Sequence, residues 1–145
     1  MLAHNKIITE GRTLTESDLV FFSYFTGDWF YLHTDKEAAK KTIFRERIFH
    51  GYLVLSVSLG LMVRSGMLDK ERFVALKSIH EVEFLKPVKI GDTVHVEFIF
   101  NTTENEKYNS VVINGETINQ DGITVIKFKL SYLEKKIKKE LNKNG

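Results

Sequence analysis

Asp28 and His33 stand five residues apart in a short segment, TGDWFYLH, that follows a helix-stopping glycine, Gly27. An imidazole exchanges protons near neutral pH, and an ionised carboxylate beside it can orient the ring or a water molecule. Eighteen residues after His33, Gly51 opens the apolar run YLVLSVSLGLMV. That helix start offers no Ser, Thr, Asp or Asn as a cap, so its leading N–H groups are free to meet an oxyanion, and glycine admits a ligand close to the backbone. A carboxylate, an imidazole and a bare helix N-terminus are the parts needed to add or remove water beside a polarised carbonyl.

The plainer alternatives are specific. An Asp after a helix-ending Gly often serves only a turn, and a His five residues on is often a surface group. Trp29, Phe30 and Tyr31 are candidates for lining a substrate pocket or, equally, for anchoring their loop. Ser56 lacks a neighbouring base in the sequence, so it reads as a ligand hydrogen bond or as helix packing rather than a nucleophile. His50 is expected to hold the start of the helix structurally; His80 and His95 lie among charged residues and His4 is terminal.

These residues must be positioned by recognisable elements. Thr15 caps a helix with Asp18 three residues on, Leu14 and Leu19 suit a hydrophobic staple, and Leu19, Phe21, Phe22 and Phe25 form an apolar stripe expected in the core. Thr34 or Asp35 caps a second short helix reaching Lys41, and Ile43 to Phe49 is irregular. Gly51 to Arg64 predicts a helix of about 14 residues, ~21 Å long, apolar on nearly every side and therefore enclosed. Ser56 and Gly60 share one of its faces, where a backbone could approach.

Beyond it the period changes to two. Val82 and Phe84, then Val94, Val96, Phe98 and Phe100, then Thr124, Ile126, Phe128, Leu130 and Tyr132 alternate with polar residues, as half-buried antiparallel strands do. Pro87 marks an edge before a turn at Gly91 and Asp92, Asp121 with Gly122 signals a hairpin, and Asn114 with Gly115 suits a bulge inside a strand better than a turn. Ile7 and Ile8 read as a short strand or arm. The whole predicts an α+β fold in one domain spanning residues 1–145, an antiparallel sheet wrapped around the long apolar helix, with a basic tail from about residue 134.

With 145 residues, 43% hydrophobic and 28% charged, the chain has the composition of a globular protein and room for one core. The net charge of +2 traces to the lysines near the C-terminus, so no basic stripe for nucleic acid is expected. The absence of cysteine rules out disulfides, thiolate catalysis and sulfur-ligated zinc. The first residues lack a secretory signal pattern and the longest apolar run is too short for a membrane span, so a cytoplasmic protein without a membrane partner is expected.

The order Gly27, Asp28, a five-residue step to His33, then His50 and Gly51 opening an apolar helix resembles the MaoC-like dehydratases and (R)-specific enoyl-CoA hydratases of the hotdog fold. Phe84, Leu85, Lys86, Pro87, Val88 followed by Gly91 and Asp92 extends the likeness, which runs from about Gly11 to Tyr132. The resemblance implies a homodimer acting on an acyl-CoA thioester, with Asp28 and His33 as the catalytic pair, the Gly51 amide facing the thioester oxygen, and no metal or redox cofactor. Where the family carries G-D-x-N-P-x-H, this chain has Phe30 and Tyr31 in place of Asn and Pro. Two further functions compete: a non-catalytic acyl-CoA binder or partner subunit of a heteromeric dehydratase, and a hotdog thioesterase. The second would place a carboxylate or Gln on the central helix, and Tyr52 to Val63 holds neither.

Overall fold

The computed structural model describes residues 5–137, so His4 and the terminal lysines beyond 137 lie outside it. Thr15 N–H donates to Asp18 Oδ2 at 2.8 Å and starts α1, Glu16–Thr26; Gly27, at φ 75°, ends it. Leu14 and Leu19 are both buried at that start, as the staple requires. Two single-turn helices follow, α2 at Tyr31–Thr34 and α3 at Lys36–Ala39, the latter capped by Asp35 through the Ala38 N–H. The long helix α4 spans Gly51–Arg64.

Among the described residues six strands make one antiparallel sheet: β1 (Ile7–Ile8), β2 (Arg12–Thr13), β3 (Phe73–Phe84), β4 (Thr93–Glu104), β5 (Tyr108–Asn119) and β6 (Thr124–Lys135). The order is β1-β4-β5-β6-β3, with β2 also on β4. Val94, Val96 and Phe98 of β4, Val111 and Ile113 of β5, and Ile126, Phe128 and Leu130 of β6 pack one face onto Leu53, Val54, Leu61 and Met62 of α4. That is the α+β hotdog arrangement the sequence implied. A buried hydrogen bond, Ser58 Oγ to Thr117 Oγ1 at 2.7 Å, ties helix to sheet inside this apolar contact. Both buried hydroxyls are partnered, since Ser58 Oγ donates to Val54 O at 2.7 Å and so accepts from Thr117 Oγ1.

The structure corrects four expectations. Phe21 and Phe25 are 68% and 76% exposed and stack on each other, because α1 turns Leu19, Phe22 and Ser23 inward and these two rings lie on the other side. The helix α4 is enclosed on its sheet side alone: Tyr52, Ser56, Gly60 and Val63, spaced at helical repeats, stay exposed. Asn114 and Gly115 form neither turn nor bulge, since β5 pairs without a register shift there, opposite Phe98 and Phe128. Glycine is needed because a Cβ at 115 would sit 2.3 Å from Phe128 Cζ. Glu134 and Lys135 end β6 and do not begin a tail.

Strand β3 starts well before the alternation that betrays it. Its pairing with β6 shifts register three times between Phe73 and Glu81, and each shift breaks the period-two pattern. No described helix is long and apolar enough to cross a membrane.

Candidate active site

The segment after α1 is held in shape by its own side chains. Thr26 Oγ1 accepts the Asp28 N–H at 3.2 Å, and Asp28 Oδ1 accepts the Phe30 N–H at 3.2 Å, an Asx turn that fixes the carboxylate at the head of α2. Thr34 Oγ1 donates to Trp29 O at 2.9 Å. The single turn of α2 then carries His33 inward. Its Nδ1 lies 2.7 Å from Ile48 O, and a carbonyl can only accept, so Nδ1 carries a hydrogen and Nε2 is the ring nitrogen left to exchange a proton.

His50, the residue before α4, is buried and stacks on His33 with ring centroids 3.8 Å apart at 24°. Its Nε2 lies 3.2 Å from Asp28 O and 3.4 Å from Ser23 Oγ, so Nε2 donates; its Nδ1 has no hydrogen-bond partner among the described residues. Burial pushes the His50 pKa down, with the adjacent His33 acting in the same direction, so its ring is neutral near pH 7. The Tyr52 hydroxyl donates to Asp28 Oδ2. That bond is the largest influence holding the Asp28 carboxyl below its ordinary value; partial burial opposes it, while the Phe30 amide and the imidazoles of His50 and His33 assist. The same bond pushes the Tyr52 phenol up to about 12.

One donor atom from each of Asp28, His33 and His50 lies within 4.8 Å of the others. Such a spacing can serve either a shared cation or a shared proton. His50 Nε2 faces a carbonyl and carries hydrogen, so it has no lone pair to give a metal, and Tyr52 occupies one carboxylate oxygen.

Gly51 lies between His50 and Tyr52 and lines a cavity of about 410 Å³ with Tyr52, Phe44, Ile48, Phe84 and Pro87. A Cβ on it would meet the Phe84 ring at 2.7 Å. No side chain caps α4 at His50. Ser56 is elsewhere: its hydroxyl donates back to Tyr52 O at 2.7 Å, and it faces a groove of about 810 Å³ beside Phe21, Phe22 and Gly60. Trp29, Phe30 and Tyr31 are about half exposed, Trp29 edge-on to Tyr24 and Phe30 against Tyr31, and none of the three lines the Gly51 cavity.

The fold thus gathers Asp28 and His33 with two residues the sequence reading gave no chemical part, His50 and Tyr52. Asp28 and Tyr52 are 24 positions apart, and no local signal links them. The one available hint was Tyr52 itself, a polar-tipped ring at the first turn of a helix otherwise built for a core.

The chain belongs to the MaoC-like domain family, whose model, described as "MaoC like domain", matches residues 3–121. It is 42% identical over 92 residues to "Protein MaoC" of Klebsiella aerogenes, a match covering 63% of this chain and 27% of that protein. It is 31% identical over 86 residues to the (R)-specific enoyl-CoA hydratase of Rhodospirillum rubrum, covering 57% of this chain and 55% of that one. The chain therefore aligns with about a quarter of the first relative's length and about half of the second's. An Archaeoglobus structure described as a monoamine oxidase regulatory protein superposes with a TM-score of 0.86 at 39% identity, covering 94% of this chain and 92% of that one.

Proposed function

We propose that this chain is an acyl-CoA hydro-lyase that reversibly hydrates a trans-2-enoyl-CoA to a 3-hydroxyacyl-CoA. The observation that carries the reading is the pairing of an ionised Asp28 with a His33 whose Nδ1 is committed to Ile48 O, which leaves Nε2 as the nitrogen that exchanges a proton. In the forward direction the Asp28–His33 pair accepts a proton from water as its oxygen adds to C3. Negative charge moves to the thioester oxygen, where the Gly51 N–H and the α4 dipole stabilise it. The pair then returns a proton to C2, so water is added and the enzyme ends unchanged. The acid and base roles belong to the two groups jointly and are not divided between them. The chemistry needs no cofactor beyond the coenzyme A of the substrate.

The Gly51 cavity, mostly apolar and bordered by Tyr52, suits the acyl part of such a thioester. Phe30 and Tyr31 do not disable the loop, since it is the Phe30 main-chain N–H that holds Asp28. A homodimer is supported by β3, an outer strand that exposes Leu76 and Ile79, and a reducing cytoplasm suits a chain without cysteine. Incubation with crotonyl-CoA tests the reading: loss of the enoyl absorbance marks hydration, release of free thiol marks a thioesterase, and neither marks a binder or a missing partner subunit. Asp28→Ala and His33→Ala are each expected to lower hydration by about 10²-fold or more with an unchanged circular dichroism spectrum. Full activity in both variants would refute the assignment.

A further inference from the structure

We propose that Tyr52 is a positioning residue: its hydroxyl, reaching Asp28 Oδ2 from the first turn of α4, holds the carboxylate in register with His33 and with the Gly51 amide. The proposal rests on the hydratase reading of the Asp28–His33 pair. Its starting point is that His50, Gly51 and Tyr52 are consecutive at the head of α4, and that the two residues flanking Gly51 both touch the Asp28–His33 pair. The His50 ring supports His33, the Gly51 N–H opens the helix, and the Tyr52 hydroxyl meets Asp28. A carboxylate on a surface loop is thereby referenced to the same backbone segment that supplies the oxyanion donor.

The geometry separates this role from two simpler ones. Tyr52 is not needed to close the loop, which is already tied by Thr26 to Asp28, by Thr34 to Trp29 and by His33 to Ile48. Nor is it suited to donate its proton in the reaction, since its hydrogen bond to Asp28 keeps the phenol protonated far above neutral pH. What the hydroxyl adds is a second point of attachment. The Phe30 N–H holds Oδ1 from the loop, Tyr52 holds Oδ2 from α4, and a carboxylate fixed at both oxygens cannot rotate away from His33. The ring itself is seated against Phe22 and His50, with centroids 5.4 and 5.8 Å away, so the hydroxyl can be removed without removing the packing.

The test is Tyr52→Phe, read in two ways. First, the Asp28 side-chain carbon is followed by NMR through an acid titration, its resonance assigned with Asp28→Asn. The groups facing Asp28 are Tyr52, the Phe30 amide, His50 and His33, and the variant changes the first alone. The Asp28 midpoint is expected to rise in Tyr52→Phe; an unmoved midpoint overturns the proposal. Second, kinetics with crotonyl-CoA should show kcat lower by about tenfold or more, the scale for losing a charge-assisted hydrogen bond. KM should change by less than about threefold, and the acid limb of the kcat profile should move to higher pH with the Asp28 midpoint. A defect confined to KM, or a variant that fails to fold, overturns the positioning role. If the wild type does not hydrate crotonyl-CoA, the hydratase reading falls; the NMR midpoint still decides whether Tyr52 holds Asp28, so the two failures are told apart.

Discussion

The two ends of the exposed stripe on α4 make an instructive pair. Tyr52 sits at its first turn, bonds Asp28 and borders the cavity that Gly51 lines, a cavity whose lining includes neither Asp28 nor His33. Ser56 and Gly60, one and two turns further on, look into a separate groove beside α1, and the Ser56 hydroxyl is turned back on its own helix. A shared helix face is therefore not a shared site. What separates the ends is the unsatisfied N–H groups, confined to the first turn of any helix, and here that turn also meets the loop carrying the ionisable pair.

This contrast can be broken most severely at the loop. His33→Ala should lower kcat by roughly 10² to 10⁴-fold, the range for a positioned acid–base group, with little change in thermal midpoint; steady-state kinetics and calorimetry measure both. Next in size is Gly51→Ala. The added methyl must push the Phe84 ring aside by displacing it within the cavity both residues line, so hydration should fall on the order of tenfold while folding persists.

The acid dependence of stability sharpens the same comparison through His50. Its pKa is lowered in the folded protein, so below the ordinary value of 6.5 the unfolded chain binds a proton that the folded one resists. Stability must then fall as pH drops from about 6.5 towards the folded-state value. Urea unfolding at a series of pH values should show that slope, and His50→Gln should flatten it; an equal slope in both proteins would count against a neutral buried ring.

At the far end of the stripe the effects should be small and of the opposite sign. Gly60 has no atom within 4 Å of where a Cβ would lie, so Gly60→Ala should stabilise the chain by about 0.5–1 kcal/mol and leave kcat within twofold. Ser56→Ala is expected to change stability by no more than ~0.5 kcal/mol, with kinetics unaltered. A tenfold kinetic loss in either variant would mean the groove is part of the site after all.

Much of this architecture was legible in the chain. The bounds of α4, the Thr15 start and Gly27 stop of α1, and the strands around Val96 and Ile126 follow from periodicity and punctuation, which are local. The expectations that failed did so where a tertiary fact intervened. Phe21 and Phe25 look like core residues because they are aromatic on a helix, yet which side of α1 faces inward depends on how the helix lies against α4. The first half of β3 was hidden by bulges, whose sequence trace is only a missing alternation.

Asp28 and His33 could be singled out because both lie on one short segment, where five residues of chain limit how far apart they can be. The Gly51 amide was legible for a similar reason, as an uncapped helix start. The chain by itself thus determined the apolar helix, the strands that cover it and the chemistry on offer in the Asp28 loop, all written in spacings of a few residues. Only the tertiary structure decided that the Tyr52 hydroxyl would meet Asp28, that His50 would stack on His33, and that Ser56 would be left out. Those three outcomes depend on the angle between α4 and a loop some twenty residues earlier, and that angle is set by packing against the whole sheet.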